Sequence, residues 1–157
     1  MDHLLRDWGR ERPELDVAPM AVVGRILHLG RAFEARANTV LRDLDLHYTD
    51  LDVLATLRRS GAPYRLTPTA LRRSVLITSG AMTACLNRLE KSGLVSRSPE
   101  DNDRRSLIAA LTPKGRTLID KAVVVRFAEA RDAVSGLTRS ERTDLARLLK
   151  KLGASLS

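Results

Sequence analysis

The 157-residue chain has one cysteine, three histidines and five aromatic side chains. A lone cysteine, Cys85, rules out an internal disulfide and any cysteine-rich zinc site. The histidines, His3, His28 and His47, are scattered, and none has a Cys, His or Asp at convincing metal-ligand spacing. There is no glycine-rich loop to cradle a phosphate and no nucleophile motif. The expectation is a protein that is not an enzyme and carries no metal or cofactor. No apolar run approaches the ~18 residues a membrane helix needs, so no membrane partner is expected. The opening "MDHLLRDWGRERPELD" carries charge where a signal peptide has its apolar centre, which predicts a cytoplasmic protein.

Acidic residues are scarce in one region. Between Leu54 and Arg116 twelve Lys and Arg face only four acids, while the rest of the chain holds fifteen of each sign. The whole formal charge of +8 therefore lies in the middle of the chain. A localised basic surplus is what a polyanion-binding surface needs. A solvated basic face without a partner is the bland alternative.

What the chain has in plenty is helix signal. After a short amphipathic piece with Leu4, Leu5 and Trp8, two prolines break the pattern. From Met20, apolar residues at Val22, Ile26, Leu29, Phe33, Ala37, Val40 and Leu44 form one stripe of a long helix. Thr49 with Asp52 predicts a capping box and a helix stopped by Gly61. Thr67-Pro68 opens a short helix. Thr78 or Ser79 caps the next, which ends at Gly93. The period then changes: "LVSRS" and "SLIAAL" are short strands around "PEDND". Thr112-Pro113 starts a further helix, with Gly136 as its stop. Thr138 with Glu141 caps a last helix whose stripe is Leu145, Leu148, Leu149 and Leu152. The predicted fold is mainly α with a small β-hairpin wing.

The helix from Ser79 has two faces. Met82, Cys85, Leu86 and Leu89 fall inward. Gly80, Thr83, Ala84, Asn87 and Lys91 fall outward, with Arg88 at the edge. Small residues at the leading end allow close approach to a major groove. Thr, Asn and Arg can read base edges or anchor phosphates, and the helix N-terminus favours an anion. An ordinary polar surface helix is the alternative. The hairpin shifts the balance, because Arg104 and Arg105 sit where a wing tip would enter a minor groove. Asp103 is expected to aim Arg105 by a two-pronged hydrogen bond.

The run R-L-E-x-x-G-L-V-x-R at Arg88–Arg97, the D-x-R at Asp103–Arg105 and the L-T-x-x-G at Leu111–Gly115 resemble the MarR family of bacterial transcriptional regulators. The resemblance implies a winged helix-turn-helix with N- and C-terminal dimerisation helices. The implied organisation is 1–48 for dimerisation and a ligand pocket, 49–112 for DNA binding, and 113–157 for dimerisation. It further implies a homodimer, acting as a repressor, on a pseudo-palindromic double-stranded operator. The DNA-contacting residues would be Ser79, Gly80, Thr83, Asn87, Arg88, Arg104 and Arg105. An architectural winged-helix protein without an effector is the alternative.

"WGRERPELD" from Trp8, "LDVLATLRRSGAPYRLTPTAL" and "TSGAMT" are similar to the urate-responsive, PecS-like branch of that family. That likeness implies a small anionic effector held by Trp8, Asp52 and Arg97. The branch has a second arginine where this chain has Cys85, which argues against urate itself. Each residue has a structural alternative. Trp8 can staple the first helix to the body, and Asp52 can be only a cap. Arg97 can meet a phosphate or an acid. Cys85 can be a small core residue or, as in some relatives, an oxidant sensor.

Overall fold

Two Thr-Pro pairs start helices for the same reason. Thr67 Oγ1 accepts from the Ala70 N–H at 3.2 Å, and Thr112 Oγ1 accepts from the Gly115 N–H at 3.0 Å. In both, proline stands at the first helical position, where no N–H is missed. These pairs anchor a computed structural model that describes residues 1–75, 79–100 and 103–156, with the backbone alone described at 79, 100 and 103–106. The described elements are α1 (Asp2–Glu11), α2 (Ala18–Leu41), a short 3-10 turn (Arg42–Leu44), α3 (Tyr48–Arg59), β1 (Arg65–Leu66), α4 (Pro68–Ser74), α5 (Ser79–Lys91), β2 (Val95–Glu100), β3 (Asp103–Leu111), α6 (Pro113–Ala133) and α7 (Arg139–Ala154). The mainly α fold with a small wing is as the sequence predicts. No helix among the described residues is long and apolar enough to cross a membrane.

The chain divides into two compact units, Met1–Thr39 and Val40–Ser157. In the first, Asp2 of α1 pairs with Arg25 of α2. The stripe Val22, Ile26, Leu29 and Phe33 is exposed along α2. In the second, Leu54 and Leu57 of α3, Leu71 of α4, Met82 and Leu89 of α5 and Ile119 of α6 form one core and are essentially inaccessible. α6 also bonds to α3 through Arg58 Nε and Asp120 Oδ1 at 2.7 Å. The guanidiniums of Arg58 and Arg116 lie 5.1 and 5.0 Å from the centre of the Tyr64 ring. α7 starts with the expected capping box. Thr138 N–H donates to Glu141 Oε2 at 2.7 Å, and Glu141 N–H donates to Thr138 Oγ1 at 3.3 Å. No residue of α7 is buried, and Leu145, Leu148, Leu149 and Leu152 are exposed.

Three local expectations need correction. α3 starts earlier than Thr49: His47 is its N-cap, and Asp50, not Asp52, is the carboxylate that accepts the cap N–H, at 3.0 Å. The hairpin is longer than the two runs predicted. Glu100 pairs with Asp103, so Asp103, Arg104 and Arg105 belong to the first part of β3 rather than to a loop. A third strand was not foreseen: Arg65–Leu66 pairs with Ala109–Ala110, giving the antiparallel order β1-β3-β2. A two-residue strand is too short to show a period. The expected cap at Thr78 lies outside the described residues.

Candidate nucleic-acid interface

The outward face of α5 is the centre of the site. Met82, Cys85, Leu86 and Leu89 are buried, while Gly80, Thr83, Ala84, Asn87 and Lys91 are exposed. This is the division expected from the 3.6-residue period. Ser79 is the first residue of α5.

α5 is held by three joints, and each uses a residue of the R-L-E-x-x-G-L-V-x-R run. The first is at Arg88. Its Nη2 donates to Asp50 Oδ1 at 2.6 Å, and its Nε lies 3.1 and 3.3 Å from the two oxygens. Asp50 is 2% exposed, and its Oδ1 also receives the Cys85 thiol at 3.3 Å. The hydrogen bond to Asp50 raises the Arg88 pKa further. Burial, aided by the Asp50 charge, pushes the Cys85 thiol up to about 12. Such a thiol stays protonated at neutral pH, so it lacks the thiolate an oxidant sensor needs.

The second joint is Glu90 with Arg97. Arg97 Nε donates to Glu90 Oε2 at 2.9 Å, and its Nη2 meets the same oxygen. This ties α5 to β2 and holds the Glu90 carboxyl below its ordinary pKa. Of the roles open to Arg97, the pairing with an acid is the one the structure displays.

The third joint ends the helix. Gly93 takes φ +69°, in the left-handed region. Its N–H donates to Glu90 O, and the Leu94 N–H donates to Leu89 O, both at 2.9 Å. This is the Schellman arrangement. Thr112 then closes on it: its hydroxyl donates to Gly93 O at 2.7 Å, and its N–H donates to Leu94 O at 3.1 Å. The motifs G-L-V and L-T-x-x-G are thus two sides of one contact at the base of the wing.

β2 and β3 pair antiparallel, as the expected wing requires. The aiming of Arg105 by Asp103 concerns side chains outside those described.

Within the second unit, the expected effector residues Asp52 and Arg97 do not line the same cleft. Asp52 faces a cleft of about 270 Å³ between α3 and α6, lined also by Tyr48, Leu51, Ala55, Val123, Arg126, Phe127 and Ala130. Burial raises the Asp52 pKa, and the Arg59 charge opposes the rise. Arg126 Nη1 donates to the buried Glu129 carboxylate at 2.6 Å. Arg97 is not among these residues. Trp8 lies half-exposed on α1 beside His3, Leu4, Asp7 and Glu11. Tyr48, Arg126 and Phe127 line the cleft, but the sequence does not single them out, because their spacing reads as ordinary helix. Sequence reasoning misses Asp50 because it places the cap two residues late.

Comparison with known proteins decides the family. The MarR family pattern matches residues 44–106. The regulator PecS of Dickeya dadantii, described as an HTH-type transcriptional regulator, is 35% identical over 149 residues, which is 95% of this chain and 90% of that protein. The chain belongs to the MarR family. Like other MarR-family members it is a DNA-binding transcriptional regulator and not an enzyme. Among solved structures, a cysteine-to-serine mutant of MarR from Escherichia coli in complex with operator DNA superposes with a TM-score of 0.77 at 27% identity, covering 87% of this chain and 96% of that one. BpsR of Bordetella bronchiseptica, solved in work on regulation of its DNA binding by 6-hydroxynicotinic acid, gives 0.75 at 25% identity, covering 83% and 92%.

Proposed function

We propose that this MarR-family regulator is a cytoplasmic repressor. In this reading it binds a pseudo-palindromic operator as a homodimer and leaves it when a small anionic effector binds. Residues 49–112 read DNA, with Ser79, Gly80, Thr83 and Asn87 of α5 in the major groove and Arg104 and Arg105 of β3 at the minor groove. Residues 1–48 and 113–157 supply the dimer contacts. The observation that carries the reading is the outward face of α5, small at its leading end and polar beyond, flanked by a basic wing. The exposed stripes of α2 and α7 support a second copy as the partner.

The α3–α6 cleft supports the effector part. Its volume of about 270 Å³ lies just below the roughly 300–1,000 Å³ usual for ligand pockets, which suits a single-ring molecule. Tyr48 and Phe127 offer ring faces, and Arg126, bonded to Glu129 at 2.6 Å, offers a cation that an anion would share with that carboxylate. Asp52 supplies a carboxyl whose pKa burial raises, against the pull of the Arg59 charge. BpsR, whose DNA binding is regulated by a hydroxylated pyridine carboxylic acid, gives the chemical class. With Cys85 buried in the core and Arg97 paired to Glu90, urate is expected to act weakly.

The test is to footprint the upstream intergenic DNA and then titrate urate and a panel of aromatic and polycarboxylate anions. Operator release and the fluorescence of Trp8, the sole tryptophan, are read together. A discrete palindromic footprint, released by an aromatic carboxylate, is expected. Length-dependent coating would favour an architectural role, and release by none of the anions would refute the effector.

A further inference from the structure

Among the described residues three polar or charged side chains are buried: Asp50, Thr56 and Glu129. Glu129 meets its cation one turn away on its own helix. Asp50 instead reaches from α3 to α5. Its Oδ1 takes the Arg88 fork and the Cys85 thiol, and its Oδ2 takes the His47 N–H. Cys85 and Arg88 stand three residues apart, so both lie on one side of α5. The carboxylate therefore touches α5 along a full turn, from the cysteine at its core edge to the arginine at its outer edge.

We propose that Asp50 is a positioning residue for sequence reading: its clamp on Arg88 and Cys85 fixes the rotation of α5 about its axis, and so fixes which edge of Gly80, Thr83 and Asn87 meets the bases. This rests on the reading of α5 as the recognition helix. Two facts favour registry over mere adhesion. Apolar contacts of Met82, Leu86 and Leu89 already hold α5 to the core, and such contacts tolerate small rotations because they are not directional. A planar guanidinium bonded twice to one carboxylate does not tolerate them. A buried charge pair adds little stability over an apolar pair of the same size, and setting register is its best-attested use. The clamp also engages the Arg88 charge, so Arg88 acts on DNA through the pose of α5 and not as a reader of bases.

The test uses the full-length protein with Asp50→Asn, Arg88→Gln and the double variant. Asn keeps the size of Asp50 and an acceptor for His47 but removes the charge. Affinity is measured by fluorescence anisotropy on the operator and on an unrelated duplex, well below each variant's melting temperature. Reaction of Cys85 with a thiol reagent reports the pose of α5 without DNA. The clamp predicts that Asp50→Asn loses about ten-fold or more on the operator, the scale of a misplaced base contact. On the unrelated duplex its affinity holds or rises, and its salt slope grows by about one as Arg88 is freed for a phosphate. Cys85 reacts faster, and the double variant binds the operator no worse than either single one. Equal losses on both duplexes, an unchanged thiol rate, or an additive loss in the double variant would overturn the clamp. If the unaltered protein binds both duplexes alike, the reading of α5 falls and the role in recognition falls with it. The thiol rates would then still show whether Asp50 holds the helix.

Discussion

A Cβ placed on Gly115 would stand 2.0 Å from the carbonyl oxygen of Leu94. No side chain can occupy that space, and both sides of the contact are backbone. Gly115→Ala is therefore expected to destabilise the protein by about 3 kcal/mol, as overpacking against fixed backbone does. Operator binding should weaken with it, because the same contact seats the wing. Chemical denaturation measures the first and anisotropy the second. An alanine variant of native stability would mean that α6 and the base of β2 are not packed as described.

The wing gives a second prediction. Arg105→Ala should cost about 1–3 kcal/mol of operator affinity, and Arg104→Ala as much or less. Asp103→Ala should also weaken binding, although it removes a negative charge next to DNA. Titration of each variant decides, and tighter binding by Asp103→Ala would sink the aiming role and leave net charge alone.

The leucines of α7 give a third. Leu148→Glu puts a charge into the middle of an exposed apolar stripe. If a second copy covers it, the substitution removes about 1.5–3 kcal/mol of burial and adds the cost of a desolvated charge. Sedimentation should show monomer or aggregate in place of dimer. A well-behaved dimer of this variant would move the interface elsewhere.

Asp52 gives a pH dependence. Its pKa in the fold is raised above the ordinary 3.8 by burial. The native state then binds more protons than the unfolded one between the two values, so stability falls as pH rises through that interval. Asp52→Asn should be more stable than the natural chain at pH 7 and equal to it at pH 3. Melting curves at the two values test this. The arginine of the cleft stays engaged with Glu129 in either case.

The elements were legible where the chemistry is local. Thr-Pro starts, the Thr138–Glu141 box and the left-handed stop at Gly93 each need only a few neighbouring residues, and each is where the sequence places it. The α5 wheel was legible because one helix with one buried face has one period. Long-range pairings were not. Arg88 reads equally well as a base contact or as a partner for Asp50, which lies thirty-eight residues away. Arg97 and Glu90 likewise show their pairing only once β2 turns back beside α5. The cap of α3 was misplaced because Asp50 and Asp52 both follow a hydrogen-bonding residue by three positions. Only burial separates the capping carboxylate from the one facing the cleft.

The pinning of α6 at Gly115 also has a mechanical meaning. A helix held at one end by contact between backbones is a lever. Phe127, in the wall of the cleft, lies twelve residues along it, or roughly 18 Å at 1.5 Å per residue. A push of about 1 Å there turns α6 by roughly 3° about its fixed end, from the same rise per residue. The fulcrum is the carbonyl of Leu94, one residue before β2 begins, so the short arm of that lever ends at the base of the wing.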